Sequence, residues 1–227
     1  MALSTTDLGN GQGSSLPKTI TPGNHTLKIN SVYLDDFKFI PGAVHLMLNV
    51  ETEPIEGFEG FMIDKDDESK GHYAGQIGRV KAGQYAFADG QTKSGVAIQR
   101  DRSLLMFLQN LCKALGCNQW FQDQDGKHET IQDFVEAFNT DAPFKDKYLD
   151  FCIAGKEYEG KGGYTNYDMW IPKSNKGGYA YAEKGGKVLT YSEADHLKKL
   201  EVKDVQAFDD GDDFTVPART SSDFTLD

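Results

Sequence analysis

Cysteine is scarce. Three residues, an odd number with no framework spacing, cannot staple a chain of 227 residues. Free thiols in a reducing compartment are the expectation. Long apolar runs are missing too, and no stretch approaches the length of a membrane span, so no membrane partner is expected. The first residues show no basic segment followed by an apolar one; no secretory leader is expected, and the cytoplasm is the expected location. Asn24-His25-Thr26 fits a glycosylation sequon that such a location leaves idle. Catalytic signatures are equally thin. There is no His-Glu-x-x-His, and Gly185-Gly186-Lys187-Val188 lacks the hydroxyl residue and the preceding strand of a phosphate loop. Cys112, Cys117, His128 and Cys152 have no second tight pair, so neither zinc nor any other cofactor is expected. The acidic run from Asp64 to Gly71 has Ser69 where a calcium loop needs glycine, and no late Glu follows. No Ser or Cys has a neighbouring base in a spacing that marks a nucleophile. The chain is therefore read as a non-enzyme.

What is present is charge, unevenly placed. The net charge is −11, which argues against a polyanionic partner until its distribution is considered. Residues 201–227 hold eight acids against two bases. Residues 76–113 hold six Lys/Arg against two Asp, and residues 145–199 hold ten Lys against eight acids. The acid thus gathers in a tail, and the mildly basic regions coincide with the aromatic ones.

In chain order, residues 1–20 are small, polar and Gly/Ser-rich, which predicts a flexible arm. Pro22-Gly23 opens a strand over residues 24–34. A second strand is predicted over residues 43–53, with Val44, Leu46, Leu48 and Val50 inward and His45, Met47 and Asn49 outward. The loop between them carries Phe37, Lys38 and Phe39; two such rings either fold back as a plug or touch a ligand. A short strand is expected at residues 58–63, and an irregular one at residues 76–89 with Arg79, Lys81, Tyr85 and Phe87. Leu104, Leu108, Leu111 and Leu115 then repeat at helical spacing up to the stop at Gly116. Thr130-Ile131-Gln132-Asp133 has the form of a capping box, with Ile131, Phe134, Val135 and Phe138 on one side and Pro143 as the end.

Residues 155–173 read as a hairpin turning on Gly160, Gly162 and Gly163, which are expected to supply positive φ angles. Its first strand begins near Tyr148, with Leu149, Phe151 and Ile153 inward. In its second strand Thr165, Tyr167, Met169 and Ile171 face the core, while Tyr164, Asn166, Asp168 and Trp170 face out. Rings among lysines suit unpaired bases and their phosphates. Residues 174–191 leave strand and loop both open, and a short helix capped by Ser192 and Asp195 is read over residues 192–200.

Strand, strand, strand, helix, strand, strand is the order of the OB-fold, a mostly β, five-stranded Greek-key barrel. It binds oligonucleotides through strands two and three and the loops joining strands one–two and four–five. The domain expectation is an arm over 1–20, a barrel over 21–203 with a helical insertion at 100–146, and a disordered acidic tail over 204–227.

Gly-Lys-Glu-Tyr-Glu-Gly-Lys from Gly155, then Tyr-Thr-Asn-Tyr and Ile-Pro-Lys ending at Lys173, resembles the last barrel hairpin of the single-stranded DNA-binding proteins of bacterial viruses. The opening Pro22-Gly23-Asn24-His25-Thr26-Leu27 and an acidic tail with an aromatic segment are also similar. The resemblance covers about a third of the chain in detail, and the helical insertion departs from it. It implies coating of single strands in the host cytoplasm during replication, recombination and repair, with the tail recruiting partner enzymes. Phe37, Phe39, Tyr164 and Trp170, with Tyr85 and Tyr158, are then expected to stack on bases. Lys38, Arg79, Lys81, Arg100, Lys156, Lys161 and Lys173 are expected to meet phosphates. Phe208, Phe214 and Phe224 are the expected partner contacts of the tail, which is also expected to compete with DNA. A homo-oligomer is compatible with this. Two alternatives stand beside it: a structural or virion module whose exposed rings form a subunit interface, and a nuclease built on carboxylates and a metal.

Overall fold

The structure, a computed structural model, describes residues 16–83, 87–173 and 180–200. Tyr85, Phe208, Phe214, Phe224 and the tail fall outside these residues.

Alternation of apolar and polar side chains builds the first three strands: β1 (Gly23–Asp36), β2 (Val44–Thr52) and β3 (Ile77–Lys81). Two more short strands, β4 (Gly90–Gln91) and β5 (Ala97–Ile98), pair with each other as a separate hairpin. Three helices follow, α1 (Arg100–Ala114), α2 (Asn118–Asp123) and α3 (Ile131–Asp141). The aromatic hairpin is β6 (Tyr148–Glu159) and β7 (Thr165–Trp170). After it come β8 (Tyr181–Glu183), α4 (Glu193–His196) and β9 (Leu197–Lys198).

The main sheet closes on itself. β1 pairs β2, β2 pairs β3, and β3 meets β7 in parallel at Lys81↔Trp170. β7 pairs β6, and β6 returns to β1 from Gly23↔Ile153 to Lys28↔Tyr148. This is a five-stranded, mostly β, OB-fold-like barrel with its helical insertion between the third and fourth barrel strands. Inside it Leu27, Val32, Leu46, Leu48, Val50, Val80, Leu149, Phe151 and Ile153 are buried in one continuous core. Each such side chain contributes roughly 1.5–3 kcal/mol by leaving water.

Strand β1 serves two neighbours because it bends. A register shift between Ile29 and Ser31 marks a bulge, and β1 leaves β6 after Lys28. The backbone edge thus uncovered is taken by the helical insertion. Asn139 of α3 accepts from the Val32 amide at 2.8 Å and donates to the Val32 carbonyl. A helix side chain thus replaces a strand partner. The capping box at Thr130 is present in full, and Ile131, Phe134, Val135 and Phe138 are all buried.

The barrel wall has a seam where β3 and β7 diverge. Residues 18–20, which composition assigns to the free arm, fill it. The Ile20 amide donates to the Ile77 carbonyl at 3.0 Å and the Ile77 amide to the Lys18 carbonyl at 3.1 Å. Ile20 is 2% exposed, inside the core. Gly78 makes room for it, since a Cβ there would run into Ile20 Cγ1. The segment therefore belongs to the fold.

Three other expectations change. Residues 58–63 form no regular strand; they meet residues 71–73 through the bridge Met62↔His72 and the Gly60 amide, which donates to the Tyr73 carbonyl at 3.1 Å. His45 and Met47 project from the outer face as read, yet are 7% and 8% exposed, because neighbouring groups cover them. Ser192 precedes α4 without a side-chain cap, and the chain then turns extended as β9.

Candidate nucleic-acid interface

Strand register places the outward side chains in rows. Tyr33, Met47, Lys81 and Trp170 form one row across β1, β2, β3 and β7. Ser31, Asn49 and Arg79 form the next. Directly opposed residues share a face, so this surface is set by pairing alone. Asn49 Nδ2 donates to Ser31 Oγ at 2.7 Å, and Arg79 is exposed beside them.

One end of the surface is the loop between β1 and β2. Phe37 N–H donates to the Ala43 carbonyl at 3.0 Å and Ile40 N–H to the Phe37 carbonyl at 3.1 Å, so the loop folds on itself. The two rings divide the roles that sequence leaves open. Phe37 folds back, half-buried, edge-on to His45 at 5.2 Å. Phe39 stands on Phe37 at 5.6 Å and is 86% exposed, beside exposed Lys38. Burial, and then the Lys81 ammonium, hold the His45 imidazole below its ordinary value, so it supports the loop as a neutral ring.

The other end is the β6–β7 hairpin. Lys156 opposes Asp168 and Tyr158 opposes Asn166. Gly162 and Gly163 adopt φ of 86° and 78°. Gly160 does not; it is needed for space, because a Cβ there would fall on Asn166 Nδ2. The tight turn presents Tyr164 (75% exposed) and Lys161, with Tyr158 (47% exposed) on the strand behind. Between hairpin and sheet runs a groove of about 730 Å³, lined among others by Asn30, Ser31, Asn49, Arg79, Tyr158 and Tyr167.

The expected cations do not behave alike. Lys38, Arg79, Lys156, Lys161 and Lys173 are exposed and make no ion pair among the described residues. Lys81 is held by Asp168 at 2.7 Å. Arg100 is engaged in the fold, its Nε 2.7 Å from Asp101 Oδ1 and its Nη1 donating to the Gly42 carbonyl at 3.0 Å. It therefore braces the aromatic loop.

Trp170 requires a correction. It points outward, as its place in β7 predicts, but is 7% exposed. β9 lies along β6 through Lys156↔Lys198, and the Lys198 ammonium stands 5.7 Å from the Trp170 ring centroid. The ring is part of the wall and offers no stacking face. Lys198 joins the rows for the same reason, and nothing near it in sequence announces this. Tyr167, read as a core residue, is half-buried and lines the groove instead.

Free rings at both ends and unpaired cations between them make this surface able to hold a flexible, anionic, ring-bearing polymer. Among the described residues no three His, Cys, Asp or Glu side chains gather where a metal would fit, and no helix is long and apolar enough to cross a membrane. No protein-family model, curated protein or solved structure matches this chain.

Proposed function

We propose that this chain binds single-stranded DNA without catalysis and largely without regard to sequence, as the coating proteins of phage replication and recombination do. The observation that carries the reading is the pairing of exposed Phe39, Tyr158 and Tyr164 with unpaired Lys38, Arg79, Lys156 and Lys161 on the outer face of an OB-type barrel. Every base has a face to stack, so rings give affinity without a sequence code, and lysines follow the backbone. The acidic residues 204–227 compete for the same cations and offer Phe208, Phe214 and Phe224 to partner proteins.

The test is anisotropy of a labelled oligo(dT) at low and moderate salt, with the full chain and with a truncation after Lys203. Affinity should fall with salt, by a slope of about 0.7 per phosphate met, and should rise when the tail is removed. Absence of binding by both proteins at low salt would reject the reading and leave the rings as a protein interface. Recovery of intact oligonucleotide in magnesium is expected; cleavage products would favour the nuclease alternative.

Asp168 gives a finer check. Its carboxylate holds Lys81 and adds negative charge to the face. Asp168→Asn should tighten oligo(dT) binding by about two- to fivefold at low salt, as an exposed charge contributes about 0.2–1 kcal/mol. The salt slope should steepen as Lys81 turns to phosphate. Identical affinity and slope would remove Lys81 from the interface.

A further inference from the structure

A second depression, of about 550 Å³, lies in the helical insertion between α1, α2 and α3, and DNA binding makes no use of it. Its floor is apolar, made by Leu105 of α1, Phe121 of α2, and Ile131 and Phe134 of α3. The Phe121 and Phe134 rings pack at 5.3 Å. His128 stands edge-on to Phe134 at 5.5 Å, with its Nε2 3.0 Å from Gln124 Oε1. These mutual contacts hold the rings in place, so the depression is preformed.

Its lip has one sign. Asp101, Asp125 and Glu129 line it, and no Lys or Arg does. Asp101 is already paired with Arg100. Asp125 and Glu129 are exposed and make no ion pair among the described residues.

Charge removes two occupants. A nucleic-acid strand would set phosphates against these carboxylates. The two ends of this chain also carry the wrong sign: residues 1–15 contain Asp7 and no Lys or Arg, and residues 201–227 hold eight acids against two bases. What complements an apolar floor under an acidic lip is an aliphatic or aromatic side chain next to a cationic head. The geometry points to a docking site for a basic, apolar peptide segment of another protein. It stands on the helical insertion alone and does not rest on the nucleic-acid reading. The two surfaces carry opposite signs, so a partner can be held here while phosphates occupy the barrel face.

The test uses the full chain, without DNA, and a short fluorescein-labelled peptide of alternating leucine and arginine. A serine–arginine peptide of equal length supplies the same charge without the apolar side chains. The leucine–arginine peptide should bind about tenfold more tightly than the serine–arginine one. Asp125→Asn with Glu129→Gln should weaken it by about three- to tenfold at low salt. Both positions are exposed, so the variant should fold, which its thermal unfolding checks. The acidic tail is common to both proteins, and the difference between them isolates the depression. Failure of the leucine–arginine peptide to bind, equal binding of the two peptides, or equal binding by variant and parent would overturn the proposal. So would sedimentation showing that the substitutions abolish a self-association present without peptide, since the occupant would then be a second copy.

Discussion

Replacing Phe39 and Tyr164 together by alanine is expected to weaken oligo(dT) binding by about thirtyfold or more. Each base-stacking ring contributes about 1–3 kcal/mol, and every 1.4 kcal/mol is about a factor of ten in affinity. The two rings are on different loops and share no ring contact, so their losses should add. Folding should not suffer, because 86% and 75% of these side chains already face water. The measurement is the same anisotropy titration, with thermal unfolding as the control. If the double variant binds within about twofold of the parent, the rings do not stack and the face has been wrongly assigned. The single variants divide the outcome: a loss confined to Tyr164→Ala would place the strand on the hairpin alone.

The second large effect concerns stability. Phe138→Ala should cost about 3–5 kcal/mol, the usual loss for a buried phenylalanine. Phe138 is 0% exposed and packs against Phe144 at 4.9 Å and Trp120 at 5.3 Å. It therefore ties α2 and α3 to the segment entering β6. For a chain of this size the melting temperature should fall by about 6–20 °C. The transition should remain single, because the helical rings are continuous with the barrel core. Calorimetry checks both points. A loss below about 1 kcal/mol, or a separate early transition with the barrel intact, would show the insertion to be an independent unit.

Local pattern made much of this architecture legible. Strict alternation in β2 identified its buried row, and the Thr130–Asp133 capping box located the start of α3. Spacing around the three glycines found the hairpin. Pairing across long sequence distances was not legible. β8 and β9 are two or three residues long and gain their stability from β6, so their own composition says little. Trp170 shows the consequence for the candidate site. Its outward direction follows from parity in β7, but its cover comes from Lys198, twenty-eight residues on. Ile20 misled in the same way: it stands alone among Lys18, Thr19, Thr21 and Pro22, and the space it fills is left by Gly78, far along the chain. Arg100 has the composition of a phosphate contact, and only its hydrogen bond to Gly42 shows it as a brace.

The position of β9 has one more consequence. It runs beside β6, and the Leu200 amide donates to Glu157 Oε2 at 3.0 Å. The acidic residues that follow are thus joined to the chain beside the aromatic hairpin. A group on a short leash meets its target at an effective concentration of order millimolar, whatever the bulk concentration of protein. Under the proposed function, competition from the tail is then a property of each molecule alone, unchanged by dilution. If the chain binds single strands as proposed, its own anion sets a threshold that a passing strand must exceed.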